Sequence, residues 1–234
     1  MYEQTPHPAQ LAFDRDFRPH DPTRDPGFFL DRLIKRPGQL AYELCEGRRT
    51  LLSAVLLTAL LAAAAYGLLM GSFSGGVQWW AVPLKMAGGV LASALICLPS
   101  LYIFSGLAGS RLTFSGTAAL LIQALATTGL LLCGLLPVLW IFSQSTSSVT
   151  FMGLLHVFAW IACSAPGLSF LQRALRHHHD GPAMLFGTWS LVFMVVTFQM
   201  ATFLRPLVGR PADTFITPEK LFFLKHWITH LGHW

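Results

Sequence analysis

Asparagine does not occur among the 234 residues of this chain, so N-linked glycosylation has no acceptor. Charge is scarce too. Asp, Glu, Lys and Arg make up 12%, against about a quarter of a typical soluble domain. Hydrophobic residues reach 53% and the mean hydropathy is +0.54. So few polar side chains cannot coat a water-exposed globule, and lipid is the expected solvent. Paired cysteine motifs are missing. Cys97, Cys133 and Cys163 sit in apolar runs and Cys45 precedes them, with no CxxC or CxxH spacing. That excludes a zinc module and a disulfide scaffold. No nucleophile elbow, P-loop, dinucleotide fingerprint or HExxH motif is found. No catalytic residue is assigned, and an enzyme is not the expected class. The polar start MYEQTPHPAQ does not have the pattern of a cleavable signal peptide.

What is present is a series of apolar runs. A spanning helix needs about 20 apolar residues. Five runs qualify: Leu51 to Met70, Met86 to Leu107, Ala118 to Phe142, Val149 to Leu171 and Met184 to Leu204. Trp79 and Trp80 precede the second run, where an aromatic belt belongs, and Lys85 marks its edge. No Asp or Glu falls inside any of the five. The expected fold is therefore all-α: a polytopic bundle of about five spans over residues 50–210. Ahead of it, residues 1–27 read as a polar, proline-rich extended arm. Residues 28–49 alternate large apolar groups with charges and break at Pro37-Gly38. They read as an amphipathic segment at the membrane interface.

Residues 1–49 hold eight basic and eight acidic groups, so the net charge of +5 comes from beyond them. A basic excess beside apolar spans suggests anionic lipid headgroups and not nucleic acid. The loops between spans alternate between neutral and basic, with Arg111 in the second and Arg173 and Arg176 in the fourth. The arm falls on the same side as these arginines. By the positive-inside rule the N-terminus is cytoplasmic, and five spans then leave the C-terminus outside, although Arg205, Arg210, Lys220 and Lys225 of the tail argue the other way.

Small and weakly polar residues supply the helix–helix surfaces. These are Gly88, Gly89, Ser93 and Ala94 in the second span, and Gly116, Ala119, Gln123, Thr127 and Thr128 in the third. Gln123, Thr127, Thr128, His156 and Gln199 are the intramembrane polar side chains that would line a solute path. His156 is the one ionisable group well inside a span; it is expected to donate a hydrogen bond to a neighbouring helix, with a proton relay as the lesser reading. The loop RHHHD, Arg176 to Asp180, reads as a headgroup-contacting or solvated loop, since adjacent histidines on a helix point apart.

The tail, residues 211–234, should form a second surface helix. Thr217 caps it, Pro218 suits its first position and Glu219 its dipole. At 100° per residue Leu221, Leu224, Trp227, Ile228, Leu231 and Trp234 share a face. His226, His230 and His233 share the opposite one, a spacing that also suits a metal, though no carboxylate or cysteine other than Glu219 is at hand to complete the set. Between the last span and this tail, Arg205, Pro206, Gly209, Arg210 and Pro211 form a turn with two Arg-Pro pairs. Proline stops the helix. Arg205, Pro206, Gly209 and Arg210, with Trp227 and Trp234, are the expected headgroup or partner contacts.

Gln199, Leu204, Arg205, Pro206, Gly209 and Pro211, with LPSLYIFSGLAGSRLTF (Leu98 to Phe114) and LIKRPGQL (Leu33 to Leu40), carry a resemblance. Over residues 28–216 the chain resembles a group of bacterial multi-pass membrane proteins with a Yip1-like five-span layout. The resemblance implies a five-helix fold in a bacterial cytoplasmic membrane and no particular activity. Yip1 proteins act in eukaryotic membrane traffic with small GTPases, a role that does not carry over here.

The leading expectation is a non-enzymatic membrane subunit that anchors a partner complex through its arm and tail. Its partners are the lipid bilayer and either another membrane protein or further copies of itself. The second expectation is a transporter or channel for a small solute. The third is a metal-handling protein using His226, His230 and His233. No cofactor is expected other than bound lipid, with a metal as the lesser reading.

Overall fold

The computed structural model describes residues 8–19, 29–146, 148–178 and 183–204. Among these every regular element is a helix. Three short helices come first: α1 (Pro8–Asp16), α2 (Phe29–Lys35) and α3 (Pro37–Cys45). Four long apolar ones follow, α4 (Arg49–Ser74), α5 (Gln78–Leu107), α6 (Phe114–Ser145) and α7 (Val149–His177). All four are long and apolar enough to cross a membrane. The fifth expected span is α8 (Ala183–Phe203), shorter at 21 residues. At 1.5 Å per residue it is about 31 Å long, close to the hydrocarbon thickness of a bilayer. The chain is a multi-pass integral membrane protein.

Local chemistry sets the boundaries. Pro37 occupies the first turn of α3, and Arg36 before it leaves helical geometry at φ −137°, as a residue preceding proline prefers. That break separates α2 from α3. The α4–α5 turn is only residues 75–77, with Gly75 at φ 71° and Gly76 at φ 58°. Two consecutive left-handed residues reverse the chain so quickly that α5 begins at Gln78. Trp79, Trp80 and Pro83 therefore ride on the first turns of α5 and not in a loop. Both indoles stay exposed at its end, where an aromatic belt would lie. Lys85, read as marking the edge of the second span, lies inside α5 and is buried. Thr113 caps α6 by accepting from the Gly116 N–H at 3.1 Å, and Ser148 caps α7 by accepting from the Phe151 N–H at 3.3 Å.

The long helices run up and down. α4 packs most extensively on α5 and α6, α6 on α7, and α8 on α5. Alternating direction brings α1–α3, the α5–α6 loop and the end of α7 to the same end of the bundle. Among the described residues that end holds every Lys and Arg except Lys85, while the loops at residues 75–77 and at 146 and 148 hold no charge.

The closest helix approaches differ from those expected. Gly89 does pack, since an added Cβ there would meet Leu204 Cδ1 at 2.9 Å; Gly88 is exposed and faces open space. Thr128 also lies at a close approach, and the other glycines at the tightest contacts were not among those expected. Gly67 and Gly71 of α4 meet the backbone of Pro83 and Gln78, Gly129 of α6 meets Ala62, and Gly167 of α7 meets Thr128 and Ala124. The Gly67-Gly71 pair has the spacing known for close helix approach in lipid, so its signal was present in the sequence.

Within the segment expected to be an extended arm, residues 8–16 form α1. The reason is burial: Phe13 and Phe17 have an apolar surface to dock on, described next. The turn with Arg205, Pro206, Gly209 and Arg210, the tail residues Trp227 and Trp234, and His226, His230 and His233 all lie outside the described residues.

Candidate functional site

The organised polar chemistry gathers at the basic end. α1 lies across the ends of α3 and α7. Phe13 is buried and its ring sits 6.0 Å from that of Phe170. Phe17 is surrounded by His177 at 4.3 Å, His178 at 5.2 Å and Tyr42 at 5.4 Å between ring centroids. Two polar contacts fix the register. The Asp14 carboxylate lies 2.8 Å from His177 Nδ1, and Gln10 Nε2 donates to the Arg173 carbonyl at 3.3 Å. The first histidine of RHHHD is thus part of an aromatic and hydrogen-bonded clamp on α1.

Below α1, the α2–α3 pair is tied to the bundle from two sides. Gln123, fully buried in α6, donates from Nε2 to the Pro37 carbonyl at 2.9 Å. That carbonyl belongs to the first turn of α3, at the helix break. Glu43 is buried on α3 and accepts from Arg32 Nη1 at 3.0 Å and from Arg48 Nη1 at 3.4 Å. Arg32 is itself largely covered, whereas Arg48 is exposed and stands just ahead of α4. The three charges therefore join α2, α3 and the entry to the first span. Leu33, Leu40 and Leu44 add an apolar contact with Val55 and Ala126.

Cys45 ends α3 just outside the spans. Burial, and after it the neighbouring Glu46 carboxylate, push its thiol up to about 11. Thiolate is the reactive form. Alkylation of Cys45 by iodoacetamide at neutral pH is therefore expected to run about 100-fold slower than that of a thiol ionising near 9. Its rate should climb with pH until the thiol ionises. Peptide mapping against N-acetylcysteine measures this, and equal rates would mean that Cys45 is not shielded.

Inside the spans, the intramembrane polar residues are engaged locally. Thr127 Oγ1 donates to the Gln123 carbonyl and Thr128 Oγ1 to the Ala124 carbonyl, each at 3.0 Å. Bonding to the carbonyl four residues back turns both hydroxyls onto their own helix. His156 is buried in α7, with Nδ1 2.7 Å from the Tyr66 hydroxyl of α4. Their rings meet edge-on at 5.4 Å. The expected interhelical hydrogen bond of His156 is therefore present, and its partner, 90 positions away, was not foreseen. His156 Nε2 has no hydrogen-bond partner among the described residues, and neither does Ser164 Oγ. Gln199 lies partly buried near the far end of α8. The structure does not draw these five residues together: Gln123 serves the cap, His156 the α4–α7 contact.

Sequence reasoning missed the clamp altogether. The available signal was Phe13-Asp14-x-x-Phe17, an apolar pair one helical turn apart around a carboxylate. Among the described residues no three His, Cys, Asp or Glu side chains are grouped to hold a metal. No protein-family model, curated protein or solved structure matches this chain.

Proposed function

We propose that this integral membrane protein is a non-enzymatic accessory subunit that anchors a partner complex. Its partner surface is the folded cap of α1, α2 and α3, and the helix expected at residues 211–234 offers a second, separate contact at the opposite end of the bundle. The observation carrying this reading is the investment in the cap. A buried ion pair, a buried glutamine and an aromatic clamp all hold three short helices rigidly at one end. Rigid, laterally supported short helices are what a protein–protein surface needs, because little order is lost on binding. The cap also exposes the apolar side chains Leu11 and Ile34 among its charges, a mixture common in partner surfaces. Residues 8–16 belong to a folded platform and not to a free extended arm. In this reading the basic end faces the cytoplasm.

The test is affinity purification from gently solubilised membranes. The full chain is compared with a Phe13→Asp/Phe17→Asp variant, which undocks α1, and with a version lacking residues 217–234. A stoichiometric protein should accompany the full chain and be lost from at least one variant. A chain that emerges alone and monodisperse would overturn the reading.

One observation favours a second reading, a small-solute transporter. His156 Nε2 and Ser164 Oγ are buried polar atoms of α7 with no protein partner among the described residues, and such groups in a membrane interior commonly serve transport. Unchanged flux in proteoliposomes after His156→Ala would dismiss it.

A further inference from the structure

The cap encloses a groove of about 800 Å³ between the end of α1 and the α2–α3 break. Five cationic side chains line it: Arg15, Arg18, Lys35, Arg36 and Arg173, against the single carboxylate of Asp16. They come from three stretches of chain, the end of α1, the end of α2 and α7, so the clustering is tertiary and not a charged run. Gly38 makes the groove possible. A Cβ there would stand 2.9 Å from the Asp16 carbonyl carbon and 3.1 Å from the Phe13 carbonyl oxygen. Only a residue without a side chain lets the last turn of α1 close onto α3 and bring Arg15 and Arg18 over Arg36. Arg15, Arg18 and Lys35 are exposed, whereas Arg36 and Arg173 are partly buried. Lys35 shares its charge with Asp31 at 2.7 Å. The remaining four cations are guanidiniums, the group best shaped for forked hydrogen bonding to phosphate oxygens.

We propose that this groove is a binding site for a multiply charged phosphate anion. Five cations set against Asp16 and against Asp31, the partner of Lys35, leave a local excess of three positive charges. A single-charge anion leaves most of that excess uncompensated, while two phosphates in one ligand match it. The volume lies within the range of sites that take small molecules. The same chemistry comes from two sources: the headgroup of a two-phosphate lipid reaching up from the bilayer, or a soluble polyphosphate. The site stands apart from the anchoring role and does not depend on it.

The experiment uses the purified full chain. Binding of cardiolipin is read by native mass spectrometry after delipidation and titration, and binding of inorganic pyrophosphate by calorimetry. The wild type is compared with Arg15→Gln/Arg18→Gln, whose side chains are exposed and whose loss leaves the packed core untouched. Arg111→Gln removes a cation from the same end outside the groove. Losing two charge-assisted contacts should weaken the bound probe by at least about tenfold, with Arg111→Gln unchanged. Selective loss for cardiolipin identifies a lipid site, and selective loss for pyrophosphate a soluble ligand. The proposal is overturned if neither probe binds the wild type, if the double variant binds as well, or if Arg111→Gln weakens binding equally, which would indicate diffuse surface charge. An unchanged melting temperature for the double variant excludes misfolding, and Arg18→Gln alone provides a milder version of the same comparison.

Discussion

Replacing Glu43 with alanine should cost about 3 to 5 kcal/mol of stability, the usual penalty for removing one partner of a buried ion pair. The Glu43 side chain is 4% exposed and that of Arg32 11%. The penalty arises less from the attraction lost than from the guanidinium left behind. Arg32 Nε already has no hydrogen-bond partner among the described residues, so Glu43 carries its compensation. Arg48 reaches the same carboxylate but is largely solvated, and contributes little by itself. The consequence is specific. Arg32→Met combined with Glu43→Leu removes both charges and should destabilise much less than Glu43→Ala alone, since no charge is then stranded. Asp31→Ala, which breaks only the exposed pair with Lys35, should cost no more than about 0.5 kcal/mol. Thermal unfolding of the four chains in one detergent decides it. A double variant no more stable than Glu43→Ala would show that the pair is not held by desolvation.

Gly71→Ala should destabilise the bundle by about 1 to 3 kcal/mol, and Gly71→Val by more. The added Cβ would run into the Gln78 carbonyl oxygen, with the Gln78 carbonyl carbon at 3.1 Å and Trp79 Cα at 3.4 Å. These are backbone atoms of the facing helix, held by a turn of three residues, and no rotamer change can clear them. The α4–α5 hairpin must open at its tight end. Dispersion contacts that draw these two helices together in lipid are lost along the seam that continues to Gly67 and Pro83. Gly134→Ala is the control. Nothing lies within 4 Å of a Cβ at that position, so the substitution should gain up to about 1 kcal/mol from helix propensity. Equal effects at the two positions would mean that propensity, and not contact, governs both. A shift in the emission of Trp79 and Trp80 on Gly71→Ala would locate the opening.

Several features were legible in the sequence because their causes are local. Apolar runs of about 20 residues find the spans wherever a bilayer must be crossed. Pro37 announces the α2–α3 break through the geometry that it imposes on Arg36. Gly75-Gly76 and the caps Thr113 and Ser148 set helix ends by chemistry within a few positions. Arg111, Arg173 and Arg176, spaced along the chain, already tell which loops share a side.

Partner choice was settled only in three dimensions. Gln123 finds the Pro37 carbonyl across 86 positions, His156 finds Tyr66 across 90, and Asp14 finds His177 across 163. No local pattern encodes these meetings. In water a helix advertises its inner face by being apolar there and polar elsewhere. In lipid both faces are apolar, so the periodicity that would give each span an address is erased, and only small residues such as Gly71 and Gly167 record where another helix comes close. The same holds at the cap. Proline and mixed charge mark residues 1–27 as polar and extended when read alone. The surface of Phe170, Tyr42 and His177 turns part of them into α1, because burying Phe13 and Phe17 offsets the entropy of ordering the chain. Sequence determined that this is a multi-span membrane protein whose interspan basic residues fall on alternate loops. Tertiary structure determined that the basic end is a built object with a groove in it.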